Sequence, residues 1–122
     1  MVLVHAVSPA DRFDGTDVSN EFDDARAFSM VLEYRCPRCD QRIRLSKLDI
    51  EDRTRVSTSN LPPEHAAAVA ARAVSEGVGD LRYLDWRCPG CELGARAYIR
   101  RWFGGRGGDC GAWIERLFEV EA

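Results

Sequence analysis

Hydrophobic and polar residues alternate in several stretches of the chain, and a period of two is typical of β-strands. In the first clear stretch, Met30, Leu32 and Tyr34 fall on one side of the extended chain, and Val31 and Glu33 fall on the other. The last three stretches predict a three-stranded antiparallel sheet. The predicted strands cover residues 29–35, 41–45, 81–87, 95–103 and 112–120, with a short strand over 1–7.

A different period appears between the second and third of these strands. Pro62 and Pro63 suit a first helical turn, and an alanine-rich run follows. Gly77 and Gly79 then end the predicted helix. Its apolar stripe, spaced by three and four residues, consists of Ala66, Val69, Ala70, Ala73 and Val74.

Two of the predicted strands run directly into a pair of cysteines with proline after the first one, CPRC at 36–39 and CPGC at 88–91. A tight turn between two cysteines separated by two residues lets both thiolates face one ion. Two such pairs predict a tetrahedral metal site, with the fifth cysteine, Cys110, left over. A redox dithiol is the alternative, but the βαβ pattern typical of that class is missing.

In residues 30–45 and 83–103 this arrangement resembles the zinc-ribbon superfamily. The resemblance implies that two hairpins clamp one structural zinc ion through Cys36, Cys39, Cys88 and Cys91. It departs from the usual ribbon in two ways. The segment between the pairs is longer, and Asp40 and Glu92 follow the second cysteines where the family often has glycine.

The predicted fold is therefore mainly β (α+β), a zinc ribbon with an antiparallel sheet and one helix inserted at about 46–80. Residues 1–28 are predicted to form an acidic N-terminal arm, because residues 11–24 carry six acids and only one arginine, and 29–122 form the ribbon domain. With 122 residues and a net charge of −3, the chain fits a single domain, and its charge disfavours coating of nucleic acid. No signal peptide or membrane span is recognised, so we expect a cytoplasmic protein.

No catalytic residue is predicted. Four cysteines fill a zinc shell, and neither His5 nor His65 lies in a ligand motif. The glycine-rich segment 104–111 has no helix after it and predicts a hairpin turn rather than a phosphate-binding loop. Cys110 has no histidine near it in sequence, so an inert strand cysteine is expected there.

Basic and aromatic residues of the 95–103 strand are the candidate partner-binding surface: Arg96, Tyr98, Arg100, Arg101 and Trp102. Such residues are enriched in protein-binding hot spots and also hold single-stranded nucleic acid. A solvated sheet face with core aromatics would have the same composition. The first hypothesis is a non-enzymatic zinc protein that binds another protein, by analogy with small acidic bacterial regulators, inhibitors and immunity- or antitoxin-like proteins. Alternatives are a nucleic-acid-binding ribbon involved in transcription and rubredoxin-like electron transfer on iron.

Overall fold

The computed structural model describes residues 1–13, 17–20, 31–46, 61–103 and 110–122. Within them, strands and one long helix follow the predicted order, and the mainly β, antiparallel class is confirmed. The strands are β1 (Leu3–Val7), β2 (Asp17–Asn20), β3 (Val31–Arg35), β4 (Arg42–Ser46), β5 (Arg82–Arg87), β6 (Gly94–Phe103) and β7 (Cys110–Glu121). The helix α1 is Pro63–Ser75, and a 3-10 turn covers Pro9–Asp11.

The main sheet is antiparallel, with strand order β1-β7-β6-β5. The predicted three-stranded sheet of β5, β6 and β7 is thus confirmed, and the N-terminal segment extends it. β1 pairs with the last residues of β7, and β2 pairs with the first ones. The predicted turn at 104–109 and most of the predicted loop before α1 lie outside the described residues.

The described part of the predicted acidic arm belongs to this sheet domain. In addition to the pairing of β1 and β2 with β7, the Phe13 ring is 3% exposed and lies in the core beside Tyr34 and Trp86. The Arg12 carbonyl accepts a hydrogen bond from the Arg35 N–H at 3.0 Å. The N-terminal segment therefore connects the main sheet to β3.

Both faces of the main sheet are covered. On one face, a cluster that includes Leu84, Trp86, Ala97 and Leu117 packs against Tyr34 and the cysteines of the β3–β4 hairpin. On the other face, α1 packs over β1 and β7. The central strand β6 is consequently buried on both sides, with Ala95, Ala97 and Ile99 toward the hairpin side and Tyr98 toward the helix side.

The predicted helix is confirmed, but its buried face is narrower than the predicted stripe. Val69 and Ala73 are fully buried, whereas Ala70 is exposed and Val74 is 72% exposed. Leu61 and Val78, just outside the helix ends, complete the apolar contact with Phe118 and Val120. Within the described residues, α1 included, no helix has the length and apolar content to cross a membrane.

Candidate metal centre

Two knuckles of the same backbone geometry carry the paired cysteines. In the first, the Cys36 N–H donates to the Gln41 carbonyl at 2.9 Å, and the Asp40 N–H donates to the Cys36 carbonyl at 3.0 Å. In the second, the Cys88 N–H donates to the Leu93 carbonyl at 2.9 Å, and the Glu92 N–H donates to the Cys88 carbonyl at 2.8 Å. Strands β3 and β5 enter the knuckles, and β4 and β6 leave them. Each knuckle therefore closes an antiparallel hairpin.

The residues that depart from the ribbon pattern adopt the conformation that glycine usually takes. Asp40 has φ 62° and Glu92 has φ 65°, both in the left-handed region. Aspartate tolerates this region better than most residues, whereas glutamate is strained there. The N–H groups of Asp40 and Glu92 still close the two knuckles. Replacing glycine by these residues therefore changes the side chain at this position but leaves the turn intact.

The four sulfurs converge on one point. All Sγ atoms of Cys36, Cys39, Cys88 and Cys91 lie within 4.8 Å of one another. Across the knuckles, Cys36 Sγ is 3.4 Å from Cys91 Sγ, and Cys39 Sγ is 3.3 Å from Cys88 Sγ. A tetrahedron of sulfurs around zinc at about 2.3 Å has edges of about 3.8 Å, close to these separations. The donor set thus fits a tetrathiolate metal site, consistent with a zinc-ribbon-like centre.

Backbone hydrogen bonds stabilise negative charge on the buried sulfurs. The N–H groups of Arg38 and Cys39 donate to Cys36, and those of Gly90 and Cys91 donate to Cys88. Burial raises the pKa of the Cys36 thiol to about 12 despite these bonds. Burial also raises the pKa of Cys88, but the bonds from the Cys91 N–H and the Cys39 thiol outweigh it and lower the pKa to about 7. A bound cation would deprotonate all four thiols.

Glycine avoids a close contact at one position of the second knuckle. A Cβ on Gly90 would lie 2.7 Å from Gln41 Oε1 and 3.1 Å from Cys39 Sγ. The equivalent residue of the first knuckle is Arg38, whose side chain reaches outward to Glu121 of β7. The backbone of Gly90, which has no side chain, therefore lies close to Cys39 Sγ and to the Gln41 side chain.

A buried polar cluster beside the cysteines connects the hairpin to the sheet. The Glu119 carboxylate, 5% exposed, accepts two hydrogen bonds from the Arg12 guanidinium at 2.8 and 3.1 Å and one from the Tyr34 hydroxyl. The Tyr34 ring packs edge-on against Trp86 at 5.0 Å. No sequence pattern points to Arg12 or Glu119, since their partners lie far away along the chain.

The structure does not place the predicted partner-binding residues on one surface. Arg96 and Tyr98 are 3% and 1% exposed. The Arg96 guanidinium pairs with both Asp85 carboxylate oxygens at 2.6 and 2.9 Å, donates to the Tyr98 hydroxyl at 3.2 Å and stacks over Tyr83 at 3.8 Å. The prediction that Arg96 and Tyr98 belong to an exposed surface is therefore wrong, because the sheet and α1 bury both side chains.

Of the remaining predicted residues, Arg100 is exposed, and its Nε lies 3.5 Å from Glu115 Oε2. The side chains of Arg101, Trp102 and Cys110 lie outside the described residues.

Of the two histidines, His5 lies on the surface with its Nε2 3.5 Å from Glu121 Oε1, and His65 is half-buried on α1. Among the residues that the structure describes, the four cysteines are the group with metal-ligand spacing. No family model, curated protein or solved structure matches this chain.

Proposed function

We propose that the chain is a non-enzymatic zinc-binding protein, with one structural zinc ion held by Cys36, Cys39, Cys88 and Cys91. The convergence of four thiols from two matching knuckles carries this proposal. A catalytic zinc site has three protein ligands and an open position for water, whereas four thiolates leave no position for a substrate. The same donor set also accepts iron, which is the basis of the electron-transfer alternative.

When bound, zinc supplies a cross-link between the β3–β4 hairpin and the main sheet. The residues of the chain prepare that link: the knuckle N–H groups aim the sulfurs inward, and Tyr34 and Arg12 hold the hairpin on Glu119. A small two-stranded hairpin is marginally stable in water on its own. Metal binding is therefore expected to contribute directly to the folding free energy.

Metal analysis tests the proposal. Protein purified without added metal should be colourless and contain one zinc ion per chain, and the Cys91→Ser variant should bind zinc more than about a hundredfold more weakly. Cys110→Ser is the matched control, because Cys110 belongs to neither cysteine pair, and it should retain zinc. A red protein with visible absorption would favour iron, and zinc-free protein with an unchanged fold would refute a structural metal.

We also propose that the zinc-held fold serves to bind a protein partner, as a regulator, an inhibitor or an immunity- or antitoxin-like protein does. The net charge of −3 and the pairing of Arg96 with Asp85 leave the β6 face with less positive charge than nucleic-acid binding by that face would need. Anisotropy of labelled single- and double-stranded oligonucleotides at two salt concentrations tests the alternative. Salt-sensitive binding at micromolar protein would favour the nucleic-acid function instead.

A further inference from the structure

The outward face of the β3–β4 hairpin is rich in arginine. Glu33 lies opposite Arg44, and Arg35 lies opposite Arg42, so these four side chains share one face. The residues between them point inward: Tyr34 is buried and Ile43 is half-buried against the core. The pleat of the hairpin therefore separates a core face from a charged face.

Among the described residues, positive charge on this face exceeds negative charge. Arg42 and Arg44 share the single carboxylate of Glu33, at 3.1 and 3.9 Å. Both arginine side chains are well exposed, at 56% and 72%. Within the described residues Arg35 has no ion-pair partner. Three arginines against one glutamate form a basic patch on a chain whose net charge is −3.

Arg42 and Arg44 lie on β4 and turn their backbone groups toward the outer edge of the hairpin. The Cys36 N–H points to Gln41 across the hairpin, and the Arg35 N–H points the other way, to Arg12. In an antiparallel hairpin, hydrogen-bonded and non-hydrogen-bonded residue pairs alternate, so Tyr34 and Ile43 form a hydrogen-bonded pair. Arg42 and Arg44 belong to the other kind of pair, and their N–H and C=O groups point away from β3. Among the described residues, β4 pairs only with β3.

We propose that the outer edge of β4 binds an extended acidic segment of a partner protein as an additional strand. Its carboxylates, at alternate positions, would lie opposite Arg42 and Arg44, and its backbone would pair with the same two residues. This inference rests on the proposed function, since the metal-held hairpin is the binding element. The outward face, as described, offers no aromatic ring for base stacking, and a strand edge matches a peptide backbone better than a phosphate chain.

Fluorescence anisotropy with the zinc-loaded full chain tests this surface. The probe is a short labelled peptide in which glutamate alternates with valine. We expect Arg42→Glu with Arg44→Glu to weaken its binding at least about tenfold, because two attractive charges become repulsive. Arg72→Glu with Arg116→Glu is the matched control, with the same charge change at exposed positions on α1 and β7, and it should change binding less than about threefold.

A second probe separates strand pairing from charge alone. It is the same peptide with alternate backbone nitrogens methylated, which blocks pairing and keeps the carboxylates; equal binding of both peptides would overturn strand addition. Failure of both peptides to bind, together with self-association of an Arg42→Gln, Arg44→Gln variant, would show that the arginines only keep edges apart. Displacement of the peptide by an oligonucleotide at lower concentration would also overturn the proposal.

Zinc content, measured on each sample, separates this inference from the proposed function. Protein that holds one zinc ion and ignores the alternating peptide overturns the strand-edge inference and leaves the structural role of zinc in place. Protein that holds no zinc overturns the proposed function and this inference with it.

Discussion

At the scale of single residues, the metal centre depends on backbone conformation as much as on its cysteines. Asp40 and Glu92 hold positive φ values of 62° and 65°, which close the knuckles at the position where a ribbon often has glycine. Gly90 is different, because a side chain at this position would come too close to Gln41 and Cys39 of the opposite knuckle. The single glycine within the second cysteine pair therefore packs against the first pair.

Replacing Gly90 by alanine tests this contact. The new Cβ would meet Gln41 Oε1 at 2.7 Å and Cys39 Sγ at 3.1 Å. Gln41 can rotate away, but the sulfur is fixed by the site, so we expect zinc affinity to fall by about tenfold. Competition with a chromophoric chelator measures the change. Arg38→Ala at the equivalent position should leave the affinity within about threefold, and equal losses in both variants would contradict the steric account.

The buried pair of Arg96 and Asp85 is a second residue-scale feature that tests the revised assignment of Arg96. Removing one member of a buried ion pair takes away a charge-compensating contact of the other, so Arg96→Leu or Asp85→Leu should each lower the free energy of unfolding by about 3–5 kcal/mol. The double variant should lose less than the sum of the single losses. Urea unfolding of the zinc-loaded protein measures this, with Arg100→Ala as the exposed control. Additive losses would refute a direct pair.

At the scale of elements, periodicity predicted the strands and the helix but not the surfaces they bury. Alternation located β3 to β7, and the proline and glycine signals located α1. Basic and aromatic composition made Arg96 and Tyr98 candidates for a partner-binding surface, but a period of two cannot show that both faces of β6 are covered. The contacts of Glu119 with Arg12 and Tyr34 were equally hidden, since they join segments far apart in sequence.

A matched pair of substitutions tests the buried face of α1. Val69→Ala and Val74→Ala make the same chemical change and the same small gain in helix propensity. Val69 is fully buried and Val74 is 72% exposed, so only Val69→Ala should destabilise, by about 2 kcal/mol. Thermal or urea unfolding measures both. Similar losses at the two positions would contradict the assignment of Val69 to the buried face and Val74 to the exposed face of α1.

At the scale of the whole molecule, the cysteine cluster joins segments that the chain order separates. The first pair belongs to the β3–β4 hairpin and the second to the main sheet, with α1 between them in sequence and on the opposite sheet face. Hydrophobic packing of Tyr34 and Phe13 already holds the hairpin on the sheet. The metal is expected to add a second link, which fixes the hairpin on a preformed main sheet. Because α1 lies on the opposite sheet face, chelation should loosen β3 and β4 before α1.

The pH dependence of zinc binding tests the cysteine ligands in the intact protein. Zinc binds thiolates, so each thiol that is protonated in the free protein must release its proton on binding. The pKa of Cys36 is raised to about 12 and that of Cys39 is also raised, so both carry protons at neutral pH in the metal-free chain. Affinity should consequently rise as pH rises, by at least about two logarithmic units per pH unit between pH 6.5 and 7.5.

Competition against a chelator of known pH dependence measures that slope, and hydrogen exchange on the same samples follows β3, β4 and α1. Cys110→Ser should give the slope of the unaltered chain, because Cys110 lies outside both pairs. Cys39→Ser should lower both the affinity and the slope, since one displaced proton is lost with the thiol. A slope near zero would mean that the four thiols are not the ligands. Simultaneous loss of protection in α1 and the hairpin on chelation would instead make zinc a requirement for the whole fold.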